Sequence, residues 1–159
     1  SYQGGNYFYQ KATNGEGGYY ACGIQTSKKD IAKPIPPTNT TNPCFQNNFP
    51  GITSPDSIYV NFFLNVNGNN QSSVVPYFMI GPTIYNLTIN PDWTGWKYLT
   101  YKLSDFKASS TGKPATNITL ISFWVFELQS KDKGPQTVEF AIDFVLFTKG
   151  KPLFPNLAQ

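Results

Sequence analysis

Nine carboxylates, ten tyrosines and three tryptophans are the residues of this chain whose chemistry could serve a ligand. There is no histidine, which removes every nucleophile system built on an imidazole base and every histidine-bound zinc site. The two cysteines, Cys22 and Cys44, cannot make a four-thiolate site, and no Gly-rich loop ending in Gly-Lys is present to cradle a phosphate. Catalysis would have to rest on paired carboxylates, as in glycoside hydrolysis. Glu16, Asp30, Asp56, Asp92, Asp105 and Asp132 fall mostly in loops or turns, whereas Glu127, Glu139 and Asp143 fall on the last two apolar strands. Glu139 and Asp143 share one strand face about 13 Å apart, too far for either glycosidase geometry. A cross-strand pair of Glu127 with Glu139 is the arrangement that remains. The residue types weigh against an enzyme.

Asp143 stands inside Ala-Ile-Asp-Phe-Val-Leu-Phe. One reading has it accepting hydrogen bonds from the backbone of a neighbouring loop, since a buried carboxylate without partners is costly. The sharper reading is a calcium ligand, but calcium takes six to eight oxygens, and no dense carboxylate cluster accompanies it. No cofactor is expected; a structural calcium is the one exception left open.

The positive signal is aromatic. Phenylalanine can fill a core, but Tyr and Trp carry polar handles that favour an edge, a groove or an interface. Sugar rings have apolar C–H faces and polar rims, so a site for them needs flat rings beside Asn, Gln, Asp or Lys. The chain is rich in the rings and in asparagine. Trp93, in a turn among Asn, Pro and Asp, is the leading platform candidate, followed by Tyr77, Tyr85, Trp124, Tyr19 and Tyr20. Trp124 also reads as a core residue. Trp96 reads as structural, because it starts the strand around which the rest is arranged.

That strand lies within Gly95 to Phe106, GWKYLTYKLSDF. Leu99, Tyr101 and Leu103 alternate with Trp96, Tyr98, Thr100 and Lys102, the period of a strand with one face in a core. Trp96 and Phe106 are expected to brace the two ends of that core. Further strands read over 2–11, 18–26, 57–66, 74–80, 83–89, 117–128 and 137–148, separated by turns rich in Gly, Asn and Pro. Pro76 predicts an edge strand or a bulge. The 27–55 segment carries six prolines among Thr and Asn and reads as a long loop within a single domain. No helix pattern appears. The fold class is all-β, an antiparallel β-sandwich, with a jelly roll of about eight strands as the expected form.

Charge narrows the partners. The positive residues are all lysine, whereas readers of nucleic acid lean on arginine for bidentate contacts; no nucleic-acid partner is expected. No apolar run is long enough to span a membrane. The chain reads as a domain cut from a longer protein, with any signal peptide outside it. Cys22 and Cys44 are either free thiols or a bridge closing a loop of roughly 20 residues, which would contribute about 3 kcal/mol.

Three stretches together resemble the galactose-binding-like jelly-roll domains. They are Trp96…Leu99-Thr100-Tyr101-Lys102-Leu103-Ser104-Asp105-Phe106, then Ile118…Ile121-Ser122-Phe123, then Val138-Glu139-Phe140-Ala141-Ile142-Asp143-Phe144-Val145-Leu146. Ser57 to Gly68 is similar to the strand that precedes the glycan-binding face in surface glycan-binding lipoproteins of bacterial polysaccharide-utilisation systems. The resemblance covers about half the chain and departs at Phe144, where those domains often carry a second Asp. It implies non-catalytic binding of an oligo- or polysaccharide, extracellular or at a cell surface on an outer-membrane-anchored parent, as one module among further domains. The alternative is a sandwich that serves structure or protein interaction.

Overall fold

The computed structural model describes residues 7–14, 21–27, 53–67, 72–118, 121–130 and 136–157. They form nine strands: β1 (Phe8–Asn14), β2 (Ala21–Ser27), β3 (Ile58–Val66), β4 (Ser72–Ile80), β5 (Thr83–Asn86), β6 (Gly95–Lys102), β7 (Lys107–Ala108), β8 (Ile121–Ser130) and β9 (Gln136–Lys149). All pairings are antiparallel, in a four-stranded sheet ordered β1-β9-β3-β6 and a five-stranded sheet ordered β2-β8-β4-β5-β7. The all-β sandwich expected from alternation is what the chain forms. The strand count differs from the expected eight because a two-residue strand, β7, pairs with β5. Among the described residues no helix is long and apolar enough to cross a membrane. Most of the 27–55 loop, and Cys44, Tyr19 and Tyr20, lie outside the described residues, as do the side chains of Cys22 and Trp124.

The core lies between the sheets. Ile58, Val60, Phe62, Leu64 and Val66 of β3 meet Val74 and Phe78 of β4, with Leu99, Leu103, Phe106, Ile118, Phe140 and Ile142 around them. Period two in β3 sends these side chains inward. At the end of β6 the chain turns through a single 3-10 turn, Leu103–Asp105. The Lys102 N–H donates to the Asp105 carboxylate at 2.8 Å, so the Ser-Asp corner caps itself while Leu103 and Phe106 on either side enter the core.

Two expectations need correction. Trp96 does not brace the core opposite Phe106: it alternates with Leu99 and so stands on the outer face of the four-stranded sheet. β4 is not an edge strand, nor does a bulge fall at Pro76, for the strand lies between β8 and β5 and Pro76 pairs with Phe126 in regular register. The proline is tolerated because its carbonyl and its missing N–H point toward β5, which has ended there. Only half of that pair forms, Leu87 N–H donating to the Pro76 carbonyl at 3.1 Å.

The outer face of the four-stranded sheet is covered over one half. Asn61 and Phe63 of β3 point outward yet are buried, because the chain after β9 folds back over them. Asn61 is the centre of this cover. Its amide nitrogen donates to the carbonyls of Tyr59 (3.3 Å) and Leu146 (3.1 Å) and to the Thr148 hydroxyl (3.0 Å). Its oxygen accepts from the hydroxyls of Tyr98 (2.6 Å) and Thr100 (3.1 Å) and from the Leu153 N–H (2.9 Å). The Tyr98 hydroxyl in turn accepts from the Phe154 N–H at 3.2 Å. The Phe154 ring lies 5.4 Å from Tyr98, 6.1 Å from Phe63 and 6.3 Å from Phe144. Opposite this cover β9 carries a bulge, its register against β3 shifting between Asn61 and Phe63. Phe144 adopts a φ of 61° there, a conformation unfavourable for a bulky residue, and its ring contacts offset the strain.

Removing the Asn61 amide would strand several buried partners at once. Asn61→Ala is expected to destabilise the domain by about 2–4 kcal/mol, read from the urea midpoint at an unchanged slope. A loss under about 1 kcal/mol would mean that the amide does not hold the tail in place.

Candidate functional site

Among the described residues the other half of the same outer face is uncovered and forms a groove of about 460 Å³. Register places its parts. Trp96 of β6 pairs with Asn65 of β3, Asn65 with Ala141 of β9, and Ala141 with Tyr9 of β1. This single cross-strand row has two short side chains in the middle and a ring at each end. By the same register Glu139 lies opposite Lys11, in the next row beside Asn67. Tyr7, Thr94, Gly95, Val66 and Phe140 complete the lining. The floor lies low because Asn65 and Ala141 are small, and it is flanked by the long side chains of Tyr9 and Trp96. Tyr7, just before β1, reaches across so that its ring meets that of Trp96 edge to face at 5.8 Å.

One wall is held by charge. The Tyr9 hydroxyl donates to one Glu139 carboxylate oxygen at 2.8 Å, and the Lys11 ammonium lies 3.6 Å from the other. Donation from Tyr9, helped by Lys11 and the Asn67 side chain against a smaller burial cost, holds the Glu139 carboxyl below the ordinary glutamate range. The same bond, with the carboxylate charge beside it, pushes the Tyr9 phenol up. Glu139 therefore stays ionised at neutral pH, and Tyr9 keeps its proton and its orientation.

The carboxylate pair considered for catalysis does not form in register. Glu127 is on β8 and Glu139 on β9, in different sheets. Asp143 shares the outer face with Glu139, and no group of three acidic, cysteine or histidine residues able to hold a metal occurs among the described residues.

Three of the rings favoured from sequence, Trp93, Tyr85 and Tyr77, lie elsewhere. Trp93 packs one side against the core, and the Lys97 ammonium lies 4.8 Å from its ring centre. Its indole nitrogen is buried without a hydrogen-bond partner among the described residues. Tyr85 also packs on the core, stacked on Phe78 at 5.2 Å and 13°. Tyr77 is half-buried in β4, between Asn86 of β5 and Val125 of β8. Trp124 lies opposite Phe78 and Thr26 in the backbone register of the five-stranded sheet. Trp93, Tyr85 and Tyr77 do not line the groove. Tyr7, Tyr9 and Trp96, which do, were not singled out as ligands. The signal for Trp96 was present in its alternation with Leu99 and Tyr101. The signal for Tyr7 and Tyr9 was only their spacing of two.

No protein-family model matches the chain, and no curated protein matches it. Among solved structures it is similar to the family 11 carbohydrate-binding module of the cellulosomal cellulase Lic26A-Cel5E of Clostridium thermocellum. That likeness has 10% identity and a TM-score of 0.43, with 94% of this chain and 91% of that one covered.

A carboxyl whose folded pKa is depressed contributes stability that is complete above its ordinary value and is lost as pH falls through the lowered one. Glu139 is expected to titrate below ordinary glutamate in a carboxylate-detected NMR experiment. In Tyr9→Phe its midpoint should move up toward the ordinary range. An unmoved midpoint would show that Tyr9 is not the chief donor to Glu139.

Proposed function

We propose that this protein is a non-catalytic carbohydrate-binding module and that its site is the groove walled by Tyr7, Tyr9 and Trp96. The observation that carries the reading is the juxtaposition of exposed rings with the amides of Asn65 and Asn67 and the Thr94 hydroxyl around one concave floor. Rings offer flat apolar surface to sugar C–H faces, and amides and hydroxyls match the hydroxyl rim. The strand order supports a jelly roll. With β7 set aside and the remaining eight strands renumbered, the sheets read 1-8-3-6 and 2-7-4-5, an interleaving of consecutive strands between two sheets.

The state of Glu139 speaks for binding rather than catalysis. A glycosidase acid needs a raised pKa to carry a proton at neutral pH, whereas this carboxyl is lowered and has both oxygens engaged. Affinity would come from stacking and neutral hydrogen bonds, and be modest per site. An extracellular or cell-surface setting, with this domain as one module of a longer parent, fits a protein whose target is a polysaccharide.

Titration against a panel of soluble polysaccharides, followed by Trp fluorescence, is expected to show one responding glycan class. Trp96→Ala should lose at least about tenfold in affinity, the equivalent of about 1.4 kcal/mol, while its circular dichroism stays native. Trp93→Ala should instead lower the melting temperature and leave the affinity of the folded fraction intact. Silence across the panel would favour a spacer or protein-interaction domain. Loss of binding in Trp93→Ala alone would move the site away from the groove.

A further inference from the structure

Resting on the carbohydrate reading, we propose that the groove takes the terminus of an unbranched glycan chain rather than its interior. A polymer bound through its interior must enter and leave the site, so two opposite sides have to be open. Along the strands, one side is closed twice. The rings of Tyr7 and Trp96 meet at 5.8 Å, leaving no slot for a sugar ring between them. Beyond them the face is filled by Phe63, Tyr98 and Phe154, whose rings lie 5.3 to 6.1 Å apart. The tail backbone is fastened there through Leu153 and Phe154.

Across the strands, the row of Asn65 and Ala141 ends in a ring on both sides. Tyr9 stands on β1 and Trp96 on β6, the two outer strands of the described sheet, in the same cross-strand row. Their backbones are three strand spacings apart, about 14 Å. A chain crossing the sheet along that row would have to pass over both rings. The Tyr9 hydroxyl is tied to Glu139, which also faces Lys11. Among the described residues the Asn65–Ala141 floor is therefore bounded by rings on three sides, and the groove has the form of a blind cleft that seats a chain end.

The experiment compares chain ends with chain interiors. Calorimetric titrations use unbranched mixed-linkage β-glucan, linear xylan and linear mannan, each as a polymer of known chain concentration and as the tetrasaccharides cut from it. For the glycan that binds, the expected result is one protein per polymer chain and a dissociation constant per molecule close to that of the tetrasaccharide. Several proteins per polymer chain would overturn the inference while leaving the carbohydrate reading standing. Silence of every polymer and every tetrasaccharide would overturn that reading, and this inference with it. Tyr7→Ala removes the first of the two closures and leaves the second, so it should stay at one protein per polymer chain. More than one would overturn the closure given to Phe63, Tyr98 and Phe154.

Discussion

A primary amide buried in a sheet has to find partners at both its ends, and Asn61 does so with groups from β3, β6, β9 and the tail. Leaving any of them unpaired would cost more than a typical hydrogen bond gains. That demand fixes the tail across the sheet, and the tail divides the outer face in two. One half becomes a second, smaller aromatic core around Phe63, Tyr98, Phe144 and Phe154. The other half stays open to solvent with rings at its margins. The groove exists because the cover stops where it does.

The open half is shaped by side-chain size along one register row. Strands bring every second residue to the same face, so Tyr9, Ala141, Asn65 and Trp96 come together although they are distant in sequence. Large residues on the outer strands and small ones on the inner strands make a trough without any loop. The ionised Glu139 then orients Tyr9 through a hydrogen bond to a charged acceptor, a stronger bond than a neutral one. The Tyr9 wall and its Glu139 support come from neighbouring strands, β1 and β9.

The two-layer architecture was legible because alternation in β3 and β6 is unusually clean. Ile58 to Val66 and Leu99 to Leu103 each declare an inward face, and the self-capped Ser104-Asp105 corner announces the end of β6. The site was less legible, for a physical reason. Groove formation depends on which strands are neighbours, and the β1-β9-β3-β6 order joins the two ends of the chain to its middle. Nothing local in Tyr7-Phe8-Tyr9 reveals that Trp96 lies across from it. Trp93 looked exposed because Asn, Pro and Asp surround it, yet its ring is taken by the core and by Lys97. Nothing local to Asn61 signals its burial, since cover of that face needs the tail. Phe144 marked a departure from the resembling domains. It falls at the bulge of β9, where a short polar residue such as Asp takes a positive φ more readily than Phe does.

The central claim is that the open half of this face, and no other surface, receives the ligand. Backbone amide chemical-shift mapping during titration with the glycan found to bind tests it most directly. The account predicts that the largest shifts fall on Tyr9, Asn65, Asn67, Gly95, Trp96 and Ala141, with β4 and β5 undisturbed. Shifts centred on Tyr77, Tyr85 and Asn86 instead, with the Asn65–Ala141 floor silent, would contradict it.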